Sequence, residues 1–242
     1  MALKLIDIHT HIIPNVDDGA KSFDEALQMI LKMVDDGITD VIATPHFQSV
    51  ATKSTVEEQQ KKFVELKNKV IENNLRINLH FGHEVRFISH LRPDYKKLTL
   101  ANSNYILIEF SYVNNPMIDE VVLNLRALGL IPIIAHVERY RYIKKSDIKY
   151  LKELGALIQV NAETVYNPND RKEKKYINNL LKNKLIDFIA SDVHNNNTRS
   201  SNLRKAYDHL KGKINDQYLE EIFYNNAKKL LTVNKENKTV PF

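Results

Sequence analysis

Short runs of apolar residues alternate with amphipathic stretches along nearly the whole chain. Residues 3–9, 39–44, 77–82, 105–110, 131–136, 156–161 and 186–191 read as seven strands, several of them almost continuously apolar, as in Ile106-Leu107-Ile108 and Ile131-Pro132-Ile133-Ile134-Ala135. Strands of that kind are covered on both faces, the usual condition in a parallel sheet flanked by helices. Residues 22–36, 55–73, 116–128, 146–154, 171–183 and 201–211 carry helical spacing. In the second of these, Val56, Phe63, Leu66 and Val70 form one apolar stripe among Glu, Gln and Lys. Ser22 ahead of Phe23-Asp24-Glu25 is a helix-start signature, and Gly37, Gly129 and Gly155 follow helices where a left-handed terminal residue is common.

Strand and helix alternating this often predict an α/β protein of parallel βα units, closed as a barrel or open as a doubly wound sheet. No glycine-rich phosphate loop follows any strand, and the chain has only six glycines, which counts against a doubly wound nucleotide binder. With 242 residues, 43% of them hydrophobic, one core suffices. Residues 1–232 are therefore expected to form a single domain, and the polar segment 233–242, with Pro241, a flexible tail. No apolar run is long enough for a membrane span and no signal-type segment precedes the first strand, so a soluble cytoplasmic protein is expected.

Polar residues of one chemical kind fall where the predicted strands end. Asp7-Ile8-His9-Thr10-His11 closes the first, Thr44-Pro45-His46 the second, Gly82-His83-Glu84 the third, Glu109 the fourth, His136 the fifth and Ser191-Asp192-Val193-His194 the seventh. In a parallel βα fold these ends meet at one rim, where barrel active sites are built. The i, i+2 spacing of His9 and His11 puts both imidazoles on one side of an extended segment, and Asp192 and His194 repeat it. Singly, each residue has a duller explanation, a hydrogen-bonded structural histidine or a buried ion pair. Gathered at one rim, so many carboxylates and imidazoles require a metal to offset their burial. Spacing does not choose between Asp17 and Asp18, Asp7 is a candidate to orient His9 or His11, and His83 is a weak ligand candidate. His80, His90 and His209 lie off the pattern.

Composition narrows the chemistry. Zero cysteines exclude disulfides, thiolate metal sites and cysteine nucleophiles, leaving imidazole and carboxylate ligands suited to Mn, Fe, Zn or Mg. The formal net charge of +5 comes from lysine-rich helical stretches such as 172–175 and 228–229, which read as solvated faces, so no stable nucleic-acid partner is expected.

Ile6-Asp7-Ile8-His9-Thr10-His11, Val16-Asp17-Asp18-Gly19, Thr44-Pro45-His46, Gly82-His83-Glu84, Ala135-His136-Val137-Glu138-Arg139-Tyr140 and Ser191-Asp192-Val193-His194 resemble, in order, the blocks of the polymerase and histidinol phosphatase (PHP) superfamily. Within it they resemble the bacterial manganese-dependent protein tyrosine phosphatases of capsule and exopolysaccharide loci. The resemblance spans about the whole chain. It implies a distorted, TIM-like (β/α)7 barrel with three metal ions, Mn above all, at the C-terminal rim. His9, His11, Glu84 and Asp192 would hold one ion, Glu84, Glu109 and His136 a second, and Asp18, His46 and His194 a third, with Asp18 thereby preferred to Asp17. It also implies Arg139 and Arg199 as phosphate contacts, and as substrate the phosphorylated tail of a bacterial tyrosine kinase that governs polysaccharide synthesis.

The chemistry is coherent with that implication. Water acidified by bound ions can attack phosphorus in line with no covalent enzyme intermediate, and arginine suits bidentate phosphate contact. Three rival readings remain: a histidinol-phosphate-type small-molecule phosphatase, a PHP-type nuclease, and a metal-stabilised phosphotyrosine-binding module without turnover.

Overall fold

A computed structural model describes residues 3–236, with side-chain environments through 232. Nine parallel strands and nine α-helices alternate among the described residues. The strands are Leu5–Thr10 (β1), Ile38–Ala43 (β2), His46–Phe47 (β3), Asn78–Phe81 (β4), Glu84–Arg86 (β5), Tyr105–Glu109 (β6), Ile131–Ile134 (β7), Leu157–Asn161 (β8) and Phe188–Ala190 (β9). They form a three-stranded sheet, β1-β2-β4, and a six-stranded sheet, β3-β5-β6-β7-β8-β9.

All seven expected strands are present, and two short ones, β3 and β5, are additions. His46 and Glu84 therefore open short strands instead of closing long ones. Pro45, which has no N–H to give, interrupts the path of β2, and Gly82 interrupts that of β4. A side chain at Gly82 would meet Leu100 Cα at 2.9 Å, so the chain can turn there only without one. Hydrogen bonds bridge the break, from Gly82 N to Ala43 O at 3.0 Å and from Glu84 N to Pro45 O at 3.2 Å.

The sheet curls until its two edges approach. Thr10 bridges Val193 in parallel, His11 N donates to Val193 O at 2.9 Å and Asp192 N to His9 O at 3.0 Å. The result is a curled parallel α/β sheet whose strand ends face one mouth.

Helices Phe23–Asp35 (α1), Val56–Glu72 (α2), Ile118–Ala127 (α3), Lys145–Glu153 (α4), Ala162–Tyr166 (α5), Arg171–Lys182 (α6), Leu203–Leu210 (α7), Asp216–Glu220 (α8) and Asn226–Glu236 (α9) cover the strands. Ser22 caps α1 by accepting from Glu25 N, and Thr55 and Glu58 make a full reciprocal box on α2. Phe63, Leu66 and Val70 of the α2 stripe are buried, and Val56 packs at its edge.

Sequence patterning did not reveal α5, α8 or α9, the last two joined through a π turn at Glu221–Asn225. Residues 233–236 of the expected tail are helical in backbone, and 237–242 lie outside the described residues. Lys172, Lys174, Lys175, Lys228 and Lys229 are exposed, as solvated faces require. Among the described residues no helix is long and apolar enough to cross a membrane.

Candidate active site

All nine expected ligands converge at the mouth, and eight of them are buried; Asp18 is about half exposed. The local hydrogen bonds decide which nitrogen of each imidazole is free. His9 Nδ1 donates to Gln159 Oε1 at 3.2 Å and His11 Nδ1 to Asp17 Oδ2 at 2.8 Å, so both Nε2 atoms present lone pairs. Those two lone-pair nitrogens stand 3.3 Å apart. Each also lies 3.4–3.5 Å from Glu84 Oε2 and Asp192 Oδ1.

Four electron-rich atoms so placed repel one another unless a cation lies between them. His9 Nε2, His11 Nε2 and Glu84 Oε2 form a triangle with edges of 3.3–3.4 Å, and the corners of such a triangle lie about 2 Å from its centre, the length of a bond from imidazole or carboxylate to a metal such as zinc. The donor set thus fits a divalent ion on the structure's own distances.

Two further groups adjoin this one. His11, Asp18, His46 and His194 offer donor atoms all within 4.8 Å of one another, as do His46, Glu84 and Glu109. His46 Nε2 is 3.3 Å and His194 Nε2 3.4 Å from Asp18 Oδ1. His194 Nδ1 donates to Asp192 O at 2.8 Å, leaving Nε2 as a buried acceptor without a hydrogen-bond partner. Glu84 is the hub. Its Oε2 lies 2.9 Å from His46 Nδ1, and its Oε1 2.8 Å from His136 Nε2. Glu109 Oε1 is 4.0 Å from His136 Nε2 and is held by Arg86 at 3.1 Å and by the Tyr112 hydroxyl.

Burial alone would raise Glu84 and Asp192, yet both carboxyls sit well below their ordinary range because interactions with the surrounding imidazoles, His9 foremost, and for Asp192 with Arg139 and Arg199, outweigh it. Burial would lower His46, but the Glu84 carboxylate prevails and holds it up at about 9. His194, with burial and His11 acting together, is pushed down to about 4.

Backbone strain accompanies it. His136 has φ 32° and Asp192 φ 54°, left-handed values that cost a non-glycine residue about 1–3 kcal/mol. The Asp192-Val193-His194 segment is therefore not extended, contrary to the expectation from its i, i+2 spacing. Asp192 and His194 reach the cluster through that turn instead. At Gly19 a Cβ would lie 2.0 Å from His11 O, so the loop carrying Asp17 and Asp18 can press against the His11 backbone only with glycine there.

The neighbouring aspartates separate cleanly. Asp17 is buried and fully engaged, accepting from His11, Gly19 N at 2.9 Å and His46 N at 3.0 Å. Asp18 faces the cleft. Asp7 orients neither imidazole; it accepts from the backbone of His9 at 3.3 Å and Ser191 at 3.1 Å. Gln159 does what Asp7 was a candidate for, and its Oε1 also accepts from His136 N at 2.7 Å. A polar residue at a fully buried position inside Leu157-Ile158-Gln159-Val160 was the available signal.

His83 stays off the cluster, with Nε2 donating to Gln59 Oε1 at 3.0 Å between the rings of Phe47 and Phe81. His80 pairs with Asp40, and His90 is exposed. Burial pushes His83 down to about 4. Between pH 6.5 and 4 the unfolded chain then binds a proton that the folded chain does not, so stability falls as the pH drops through that window. His83→Asn should remove this component. Denaturant unfolding should show the wild-type protein losing up to about 3 kcal/mol more than the variant between pH 7.5 and pH 4, and equal pH slopes would refute the assignment.

Arg139 and Arg199 meet on one atom. Their NH2 groups lie 2.7 and 2.8 Å from Asp192 Oδ2, while Oδ1 of the same carboxylate faces His9 and His11. Asn161 Nδ2 also donates to Oδ2 at 2.9 Å. Each guanidinium uses few of its five N–H groups there, and both line the cleft above Glu84 and His136. Arg86 and Tyr112 line it too, and sequence spacing had singled out neither.

The comparisons agree with this geometry. The family described as capsular polysaccharide synthesis, CpsB/CapC, matches residues 5–232. Tyrosine-protein phosphatase YwqE of Bacillus subtilis is 32% identical over 208 residues, 84% of this chain and 82% of that protein. Tyrosine-protein phosphatase CpsB of Streptococcus agalactiae serotype V is 28% identical over 238 residues, 94% of this chain and 98% of that protein.

Among solved structures, a chain from the work on YwqE of Bacillus subtilis and CpsB of Streptococcus pneumoniae, described as unique metal-dependent tyrosine phosphatases, superposes with a TM-score of 0.86. Identity is 30%, and the match covers 95% of each chain. An amidohydrolase from Mycoplasma synoviae superposes at 0.63 with 14% identity, covering 94% of this chain and 87% of its own, which shows the shared TIM-type fold alone. By sequence, by fold and by a His, Asp and Glu cluster able to bind metal, the chain belongs to the CpsB/CapC family of capsular polysaccharide synthesis.

Proposed function

We propose that this chain is a metal-dependent protein tyrosine phosphatase that acts in the cytoplasm on the phosphorylated tail of a tyrosine kinase of polysaccharide synthesis. One observation carries the reading. Arg139 and Arg199 converge on the outer oxygen of Asp192 while its inner oxygen faces His9 and His11, which joins an anion-binding pair to a metal cluster at a single carboxylate. The relatives named as tyrosine phosphatases support the substrate.

In the same reading the fold is a distorted (β/α)7 barrel, with β2 and β3 one interrupted strand and β4 and β5 another. His9, His11, Asp18, His46, Glu84, Glu109, His136, Asp192 and His194 hold three ions, with Mn the first choice. Such ions, when bound, would lower the pKa of a water toward about 7 and offset phosphate charge.

The chain's own residues do the rest. Gln159 and Asp17 fix the tautomers of His9 and His11 so that both Nε2 atoms stay unprotonated toward the cluster. Arg139 and Arg199 offer their spare N–H groups to the equatorial phosphate oxygens and hold the ester in line. The P–O bond to the ring breaks as the P–O bond to water forms, the electron pair leaves with a phenolate, and the water's proton passes to the phosphate product or to solvent. Since the parent phenol has a pKa of about 10, the leaving group needs less protonation than an alkoxide would.

Metal analysis joined to an assay with a phosphotyrosyl peptide tests this reading. His136→Ala should lower metal content and reduce turnover by about 100-fold or more. A wild-type, metal-loaded protein that hydrolysed histidinol phosphate far faster than the peptide would overturn the assignment.

A further inference from the structure

The cleft has a second character above its charged floor. Val50, Ile88 and Tyr112 line it together with Glu84, Arg139 and Arg199. Val50 is fully exposed, at 107% of its reference area, on a loop whose other residues from 48 to 54 are Gln, Ser, Ala, Thr, Lys and Ser. A lone exposed valine is ordinary, but this one shares the wall of a cleft with Ile88 and Tyr112.

The loop is also firmly held. Thr52 Oγ1 donates to His46 O at 3.2 Å, Lys53 N to Val16 O at 2.8 Å and Lys53 Nζ to Asp17 O at 2.7 Å, so its base is tied to the backbone of the metal cluster. Tyr112 is held as tightly. Its hydroxyl donates to Glu109, the Arg86 guanidinium sits 5.3 Å from its ring centroid, and it stacks on Tyr140 at 5.8 Å.

The geometry points to an aryl grip: Val50 and Ile88, with the fixed Tyr112 ring, form an apolar mouth that takes the flat ring of an aryl phosphate whose phosphate rests on the arginines and the metal cluster. This rests on the phosphatase reading and adds the source of its selectivity. A phosphoserine or a small alkyl phosphate has only a methylene or two beyond its ester oxygen and leaves the mouth wet. A tyrosine ring fills it and removes apolar area from water on both partners.

The test compares a phosphotyrosyl peptide with the phosphoseryl peptide of the same sequence, using Mn-loaded wild type, Val50→Ser and Val50→Ile. Val50 is exposed and packs on nothing, so folding is not at issue. Val50→Ser should raise KM for the phosphotyrosyl peptide and lower the phosphotyrosyl-to-phosphoseryl ratio of kcat/KM about five- to tenfold. Val50→Ile should hold or raise that ratio. A ratio unchanged in Val50→Ser, or both substrates losing by one factor, would overturn the grip while leaving the phosphatase reading intact. A wild-type enzyme inactive on the phosphotyrosyl peptide would overturn both.

Discussion

Glu84→Gln should abolish metal-dependent turnover, lowering kcat/KM on a phosphotyrosyl peptide by about 10³-fold or more. The side chain is 1% exposed, and its two oxygens lie within 3.4 Å of nitrogens on His9, His11, His46 and His136. Among the described residues no other carboxylate approaches as many of the expected ligands. Glutamine keeps the size and shape but replaces one oxygen by an NH2 that can only donate, and it removes the charge. The amide nitrogen would face either the His136 side or the group of His9, His11 and His46, so one ion position loses a ligand in either orientation. A loss of about 4 kcal/mol in the stabilisation of the reacting phosphate corresponds to roughly 10³ in rate. Metal analysis of the purified variant should show at least one ion fewer per chain. A variant that kept full metal content and stayed within tenfold of wild-type activity would refute the central role of Glu84.

Arg199→Lys and Arg139→Lys should each lower kcat/KM by about 10²–10³ while metal content stays at the wild-type level. Each guanidinium must hold Asp192 Oδ2 and still offer parallel N–H groups to phosphate. The planar fork of arginine can do both, whereas a lysine ammonium is a point charge that satisfies one partner at the expense of the other. The two predictions separate cleanly: Glu84→Gln is expected to act through lost ions, the arginine variants through lost phosphate contacts. Loss of ions in parallel with activity in either arginine variant would mean that they serve the cluster and not the substrate. An Arg199→Lys enzyme with unchanged kcat/KM would remove Arg199 from the site.

Much of this was legible in the sequence because buried parallel strands and strand-end ligands leave local signatures. The runs 105–110 and 131–136 announced β6 and β7, and His9, Glu109 and His136 fell at the rim for the reason that strand ends do. What escaped notice depended on contacts between distant segments. Gln159 matters because it reaches His9, 150 positions away, and Asp17 differs from Asp18 only in which way each side chain turns once the loop packs on His11. The breaks at Pro45 and Gly82 hid inside motifs read as single strand ends. Leu219, Phe223, Ala227 and Leu230 carry a helical spacing, but Tyr224-Asn225-Asn226 and paired lysines dilute it, and α8 and α9 within the expected domain were not predicted as helices.

The carboxylate of Asp192 is shared property. One oxygen belongs to the imidazole cluster and the other to the two arginines, so a change of charge on either side is felt by the other through two bonds of one rigid group. An anion that draws the guanidiniums outward frees electron density on Asp192 for a cation, and a cation that draws on Asp192 frees the guanidiniums for an anion. Reciprocity of linked equilibria then makes the coupling equal in both directions: by whatever factor phosphate tightens the binding of metal, metal must tighten the binding of phosphate. A metal ion bound at the cluster is thereby expected to be held most tightly while phosphate occupies the arginines.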